Sequence, residues 1–294
     1  MSYANPDALV PTTWLAQHYN SDDVVVLDAT SHLPTAKRDA ETEFAQKHIA
    51  GAQRFNIDDI AAPSVPLPHM LPDATLFAAK VGAMGISNDT RVVVYDVYGL
   101  QSAARAWWMF RVFGHDNVAV LSGGLPKWEA EQLPLSAAAS TPVSKQFHAT
   151  LKPELLRNVD DVLDNIDAKV EQVLDARAAG RFSGEQPEPR AGMRSGHIPN
   201  SLSLPFTNLL SCDREFLPAA ELRNIIEGAG VNLAQPITAS CGSGVTACVL
   251  ALGCHLLGKS DVAIYDGSWS EWGGRSDTPI DTGKYTHEAT TDLN

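Results

Sequence analysis

Ile237-Thr238-Ala239-Ser240-Cys241-Gly242-Ser243-Gly244-Val245-Thr246-Ala247-Cys248-Val249-Leu250 reads as a short strand, a tight loop and the opening of a helix. The cysteine stands where the strand ends. Gly242 and Gly244 allow the positive φ values that curl backbone N–H groups around one point. Those groups, with the positive end of the following helix, favour an anion at the sulfur. A thiol in such surroundings ionises readily and becomes a nucleophile. Burial as a small apolar side chain, the usual fate of a free cysteine, does not call for flanking glycines. Cys212, Cys248 and Cys254 have no such loop and are read as structural.

Outward from this loop, the chain repeats itself. Leu27-Asp28-Ala29 returns as Leu174-Asp175-Ala176, and His48-Ile49 returns as His197-Ile198. Val92-Val93-Val94-Tyr95-Asp96 aligns with Ile237-Thr238-Ala239-Ser240-Cys241, and 122–128 aligns with 266–272 through a shared terminal tryptophan. The separations fall between 144 and 149 residues, so order and spacing both hold. Four matches in register point to a duplicated domain.

Within each copy, short β-branched runs alternate with helical patterns. Strands are predicted at 24–29, 91–95 and 118–121, then at 173–176, 236–240 and 262–265. Helices are predicted at 76–84, 103–113, 219–229 and 246–257. The alternation implies an α/β fold in two tandem copies, each a mainly parallel sheet flanked by helices. The expected division is 1–138 for the first domain, 139–153 for a linker within a Ser/Thr/Ala/Pro-rich stretch, and 154–294 for the second. Ligands of such sheets sit beyond the carboxyl ends of the strands, where Cys241 falls. Asp96 holds the equivalent place in the first copy. A carboxylate carries no transferable sulfur, so one working site is expected, in the second domain, with Asp96 a loop carboxylate that caps the next helix or bonds at the domain interface.

Composition narrows the partners. The 294 residues carry 22 basic against 35 acidic side chains, a formal charge of -13. That balance speaks against nucleic acid or an anionic membrane as partner. No apolar run reaches membrane-spanning length. The start, Met1-Ser2-Tyr3-Ala4-Asn5-Pro6-Asp7, has neither a basic nor an apolar leader region, and the four cysteines form no C-x-x-C pair. Both points suit a reducing cytoplasm. The nine histidines lack ligand spacing, so neither a metal nor another cofactor is expected.

These features together resemble the two-domain rhodanese superfamily of sulfurtransferases over roughly residues 13–279. The resemblance rests on the Cys241 loop, on Asp266-Gly267-Ser268-Trp269-Ser270-Glu271-Trp272, and on Gly180-Arg181-Phe182 with Glu185-Gln186-Pro187-Glu188-Pro189-Arg190. The Cys-Gly-Ser-Gly-Val-Thr loop is similar to that of the mercaptopyruvate-using branch, whereas the thiosulfate-using branch has Cys-Arg-Lys-Gly-Val-Thr. A dianionic donor favours cationic loop side chains, and positions 242 and 243 here are neutral. The resemblance implies a persulfide on Cys241, a loop of Gly242, Gly244, Val245 and Thr246 around the substrate, and Arg181 and Arg190 on the keto acid. Guanidinium suits that task as a planar bidentate fork. It also implies a triad of Asp58, His69 and Ser243, with the first two from the opposite domain. The implied partners are 3-mercaptopyruvate as donor and a thiol such as thioredoxin, or cyanide, as acceptor; nothing in the sequence suggests an obligate interface, so a monomer is expected. A thiosulfate:cyanide sulfurtransferase and a non-catalytic sulfur carrier are the alternatives. A cysteine phosphatase would need an arginine six residues after the cysteine, where Ala247 stands.

Overall fold

A computed structural model describes residues 2–283. The expected second domain extends to 294, and its last eleven positions, like Met1, lie outside the described residues. The strands are β1 (Leu9–Val10), β2 (Val24–Asp28), β3 (His48–Ile49), β4 (Gln53–Arg54), β5 (Arg91–Tyr95), β6 (Val118–Leu121), β7 (Leu135–Ser136), β8 (Leu156–Arg157), β9 (Gln172–Asp175), β10 (Leu202–Ser203), β11 (Ile237–Ser240) and β12 (Ala263–Tyr265). The helices are α1 (Thr12–His18), α2 (Ala40–Gln46), α3 (Ala74–Ala83), α4 (Ser102–Val112), α5 (Gly124–Ala130), α6 (Val159–Ala168), α7 (Ala179–Ser183), α8 (Ala219–Gly228), α9 (Ala247–Leu256) and α10 (Ser268–Trp272).

Two five-stranded parallel sheets result, ordered β1-β6-β5-β2-β4 and β8-β12-β11-β9-β10. Position by position the two orders correspond, which is the duplication read as topology. The central strands of the first sheet, β2, β5 and β6, are Val-rich, as suits a sheet with both faces covered by helices. The repeated histidines are equivalent in detail. His48 Nδ1 bonds Phe44 O at 2.7 Å and His197 Nδ1 bonds Phe182 O at 2.8 Å, each ring stacked on that phenylalanine. Helix α3 starts at Ala74 rather than 76 because Asp73 caps it, accepting from Leu76 N.

The copies do not stand apart. Helices α4 and α9, each following the loop after a central strand, are almost wholly buried against one another. Leu27, Val94, Trp107, Leu174, Ala239 and Val249 lie in one continuous apolar cluster. A helix apolar on every side is buried on every side, and α9 is such a helix. The stretch expected as a linker has no regular element before Pro153, yet it is no free tether. Phe147 is buried beside Phe77 and Phe110, and Thr150 N and Lys152 N donate to the carbonyls of Phe113 and Val112. The amino-terminal residues cross the other way, Ala4 N donating to Leu256 O at 2.8 Å. Among the described residues, no helix is long and apolar enough to cross a membrane.

Candidate active site

The loop 241–246 leaves β11 and enters α9. Its conformation is imposed from below by the segment 266–272, the second-copy counterpart of 122–128. Cys241 N and Gly244 N both donate to Ser268 Oγ at 3.1 Å. Trp269 N donates to Cys241 O, and Ser270 donates to Gly242 O through both N and Oγ. Sequence reasoning assigned no role to Ser268 or Ser270. Their signal was the repeated position of that segment.

Among the described residues, the N–H groups of Gly242, Ser243, Val245 and Thr246 have no protein acceptor. The first copy shows what such amides do. There Asp96 accepts from the N–H groups of Tyr98, Gln101 and Ala103, each at 2.8 Å. Tyr98 and Gln101 correspond to Ser243 and Thr246. The expected capping role of Asp96 is what the structure shows, and its carboxylate marks where the second loop would hold an anion.

Cys241, Gly242, Ser243, Val245 and Thr246 line a cavity of about 400 Å³, together with Arg181, Arg190, Asp58 and His69. Cys241 itself is 2% exposed. The cavity lies between the two sheets, with His32, Asp58 and His69 supplied by the first copy. Gly244 departs from expectation: it does not line the cavity. At φ +72 it faces the opposite way, where an added Cβ would stand 2.8 Å from Asp266 O.

The two arginines differ. Arg181 is bound by Glu188, through Nε to Oε1 at 3.1 Å and through Nη2 to Oε2. The Glu188 side chain is buried and also holds Arg177 Nη1 at 2.7 Å, while Arg177 pairs with Asp175. The ladder Asp175–Arg177–Glu188–Arg181 is therefore charge-neutral. Arg190 has no carboxylate partner among the described residues; its Nη2 donates to Ser243 Oγ at 3.3 Å. Burial lowers its pKa, as does repulsion from Arg181, against the attraction of Cys241. Both guanidiniums stand over Gly242, whose missing Cβ would meet Arg181 Nη2 at 3.1 Å and Arg190 Nη1 at 3.8 Å. Arg177, which also lines the cavity, was missed in the sequence; its position directly after the repeated Leu-Asp-Ala was the available signal.

Of the expected triad, two members meet. His69 Nδ1 and Asp58 Oδ1 are 2.6 Å apart, and the hydrogen bond from His69 lowers the Asp58 pKa against its partial burial. With Nδ1 so engaged, Nε2 is the ring nitrogen left for the cavity. The third link is not closed, since the side-chain partner of Ser243 Oγ is Arg190 rather than His69. Trp269 and Trp272 are buried core residues and do not line the cavity. Cys248 and Cys254 are buried, in keeping with a structural reading, but Cys212 is exposed.

Comparison with known proteins adds four findings. The family model for the rhodanese-like domain matches residues 11–131 and again 158–275. The chain is 46% identical over 271 residues to 3-mercaptopyruvate sulfurtransferase of Mus musculus, across 90% of this chain and 91% of that protein. It is also 46% identical over 286 residues to thiosulfate sulfurtransferase of Bos taurus, across 94% and 96%. Among solved structures, that of Escherichia coli SseA, a 3-mercaptopyruvate sulfotransferase, superposes with a TM-score of 0.81 at 38% identity. The match covers 89% of this chain and 98% of that one.

Proposed function

The chain belongs to the rhodanese-like family, carrying its domain twice, and on that premise we propose that it is an enzyme transferring the sulfur of 3-mercaptopyruvate. The observation that carries the choice of donor is the placing of Arg181 and Arg190 over Gly242. A cationic side chain at 242 would collide with them. An α-keto acid instead offers them a carboxylate and a keto oxygen, while its thiol reaches toward Cys241.

In this reading the Cys241 thiolate attacks the substrate sulfur. The S–S bond forms as the C–S bond breaks, and the electron pair leaves as the enolate of pyruvate. The thiol proton passes to the enolate carbon, giving pyruvate and a Cys241 persulfide anion. Ser243 and His69, with Asp58 fixing the imidazole, handle that proton. Arg190 holds the carboxylate, and Arg181 faces the keto oxygen where charge develops. The free amides of the loop stabilise the persulfide. A thiol acceptor then takes the outer sulfur and restores the thiolate; thioredoxin and small thiols have the required chemistry.

Residues 154–294 are the catalytic domain in this proposal, 1–138 the non-catalytic wall and 139–153 the connection. A cytoplasmic monomer is the proposed state. The thiosulfate-using alternative is kept because a relative of that name is as similar as the mercaptopyruvate one. Pyruvate release from 3-mercaptopyruvate with a thiol, run beside thiosulfate with cyanide, decides between them. The expected result is preference for mercaptopyruvate, lost in Cys241→Ser together with the mass gain of one sulfur. Preference for thiosulfate would overturn the donor, and a persulfide surviving in Cys241→Ser would overturn the nucleophile.

A further inference from the structure

Arg105, on α4 of the first copy, is fully buried with a permanent charge, and it does not line the cavity. Its guanidinium leaves its own sheet and crosses to the second. Nη1 pairs with Asp266 Oδ1 at 2.7 Å and donates to Gly244 O at 3.2 Å. Nη2 donates to His69 O at 2.5 Å, and the Trp108 ring lies beneath the guanidinium carbon at 4.6 Å. Asp266, just past β12, returns the exchange by accepting from Leu71 N at 2.6 Å. Each charge thus reaches from one copy into a site-bearing segment of the other.

A buried ion pair is weak grounds for stability, because desolvation of both ions offsets their attraction. Its value here is geometric. His69 sits in the left-handed region at φ +59, a conformation a non-glycine residue holds only when its surroundings dictate it. Arg105 grips its carbonyl. The same guanidinium grips Gly244, the residue after Ser243, and an added Cβ at Gly244 would stand 3.1 Å from Arg105 Nη1. Since His69 and Ser243 share no direct bond, the line Asp58–His69–Arg105–Gly244, beside the Leu71–Asp266 bond, ties the two halves of the site together.

We propose that Arg105, with Asp266, is a positioning residue for sulfur transfer: it sets His69 of one domain at its working distance from the Cys241–Ser243 loop of the other. The inference rests on the functional reading above, in which His69 and Ser243 handle the substrate proton.

The test is steady-state pyruvate release by Arg105→Lys and by the charge-neutral pair Arg105→Met with Asp266→Asn, each made with His69 intact and in a His69→Ala background. The paired variant leaves no lone buried charge, so it separates positioning from folding. Displacement of a reacting group by about 1 Å costs on the order of 10²-fold, so kcat is expected to fall by about that factor in the paired variant. KM should stay within about threefold, with a partial recovery in Arg105→Lys and a shifted pH profile. In the His69→Ala background the same changes should cost less than about threefold, because the group they position is gone. Unchanged kcat, equal losses with and without His69, or failure of every variant to fold would overturn the proposal and leave Arg105 a structural residue. A wild-type protein inert toward mercaptopyruvate would instead overturn the functional reading, and this inference with it.

Discussion

Asp96 and Cys241 occupy the same place in the two copies: each directly follows the central strand of its five-stranded sheet and opens the loop into a buried helix. In one copy the loop amides are satisfied by a carboxylate; in the other, among the described residues, those of Gly242, Ser243, Val245 and Thr246 have no protein acceptor beside the sulfur. Asp96→Ala removes the acceptor of three N–H groups. Leaving buried donors unpaired costs about 1–3 kcal/mol, so the variant should melt several degrees lower. Cys241 chemistry should persist well below the new midpoint. An unchanged melting curve would show that the carboxylate does not hold its loop.

Arg190 and Arg181 should respond unequally to truncation. Among the described residues Arg190 has no carboxylate partner, and charge-assisted bonds contribute about 1.5–3 kcal/mol, so Arg190→Ala should raise KM for mercaptopyruvate by about 10- to 100-fold. Arg181 is already neutralised by Glu188, which keeps Arg177 when Arg181 is removed. Arg181→Ala should therefore raise KM less and lower kcat more. Equal KM effects, with the fold intact by circular dichroism, would refute this division of labour.

The four cysteines should sort by environment. Burial pushes the Cys248 thiol far above its usual range despite the nearby Arg105, and pushes Cys254 to about 12. Iodoacetamide at pH 7.5 is expected to label Cys241 and the exposed Cys212, and to spare the other two until the protein unfolds. Peptide mass spectrometry reads the outcome. Rapid labelling of Cys248 in folded protein would contradict its buried, un-ionised state.

His255 provides a pH dependence. Burial, aided by Arg111, lowers its pKa from 6.5 to about 4. The unfolded imidazole therefore gains its proton first as pH falls, and the unfolded state binds more protons between those two values. Stability contributed by the neutral ring is present above about pH 6.5 and is lost as pH falls toward about 4. His255 touches both copies, with Nδ1 at 2.8 Å from Ser260 Oγ and its ring 5.3 Å from that of Trp107. Melting temperatures followed across this range should decline, and the slope should flatten in His255→Gln. An identical slope in the variant would remove His255 from the acid response.

Much of the fold was legible because its central elements are long enough to show a period. The strands at 91–95 and 118–121 have the bounds read from the sequence, and the helices at 103–113 and 246–257 shift by one residue at each end. The strands β1, β4, β8 and β10 were not legible. Each has two residues, too few for alternation, and exists because a neighbouring strand pairs with it. Helices α1, α2 and α6 were also missed. Helices α1 and α2 have only seven residues each, α2 being opened by the cap Asp39, whereas α6 does carry an apolar stripe, Val159, Val162, Leu163 and Ile166, behind the Asn158 capping box.

The same division runs through the site. The sequence by itself determined that a cysteine stands at a strand end before a glycine loop, that the whole pattern occurs twice, and that only one copy has a cysteine at that place. These are local facts, written in the spacing of neighbouring residues. The freedom of Arg190, the turning of Gly244 away from the cavity and the crossing of Arg105 to Asp266 were decided by the tertiary structure alone. Side chains more than a hundred residues apart, as Arg105 and Asp266 are, meet only when two sheets pack around a shared core. Spacing along the chain holds no record of which charge will find which partner there.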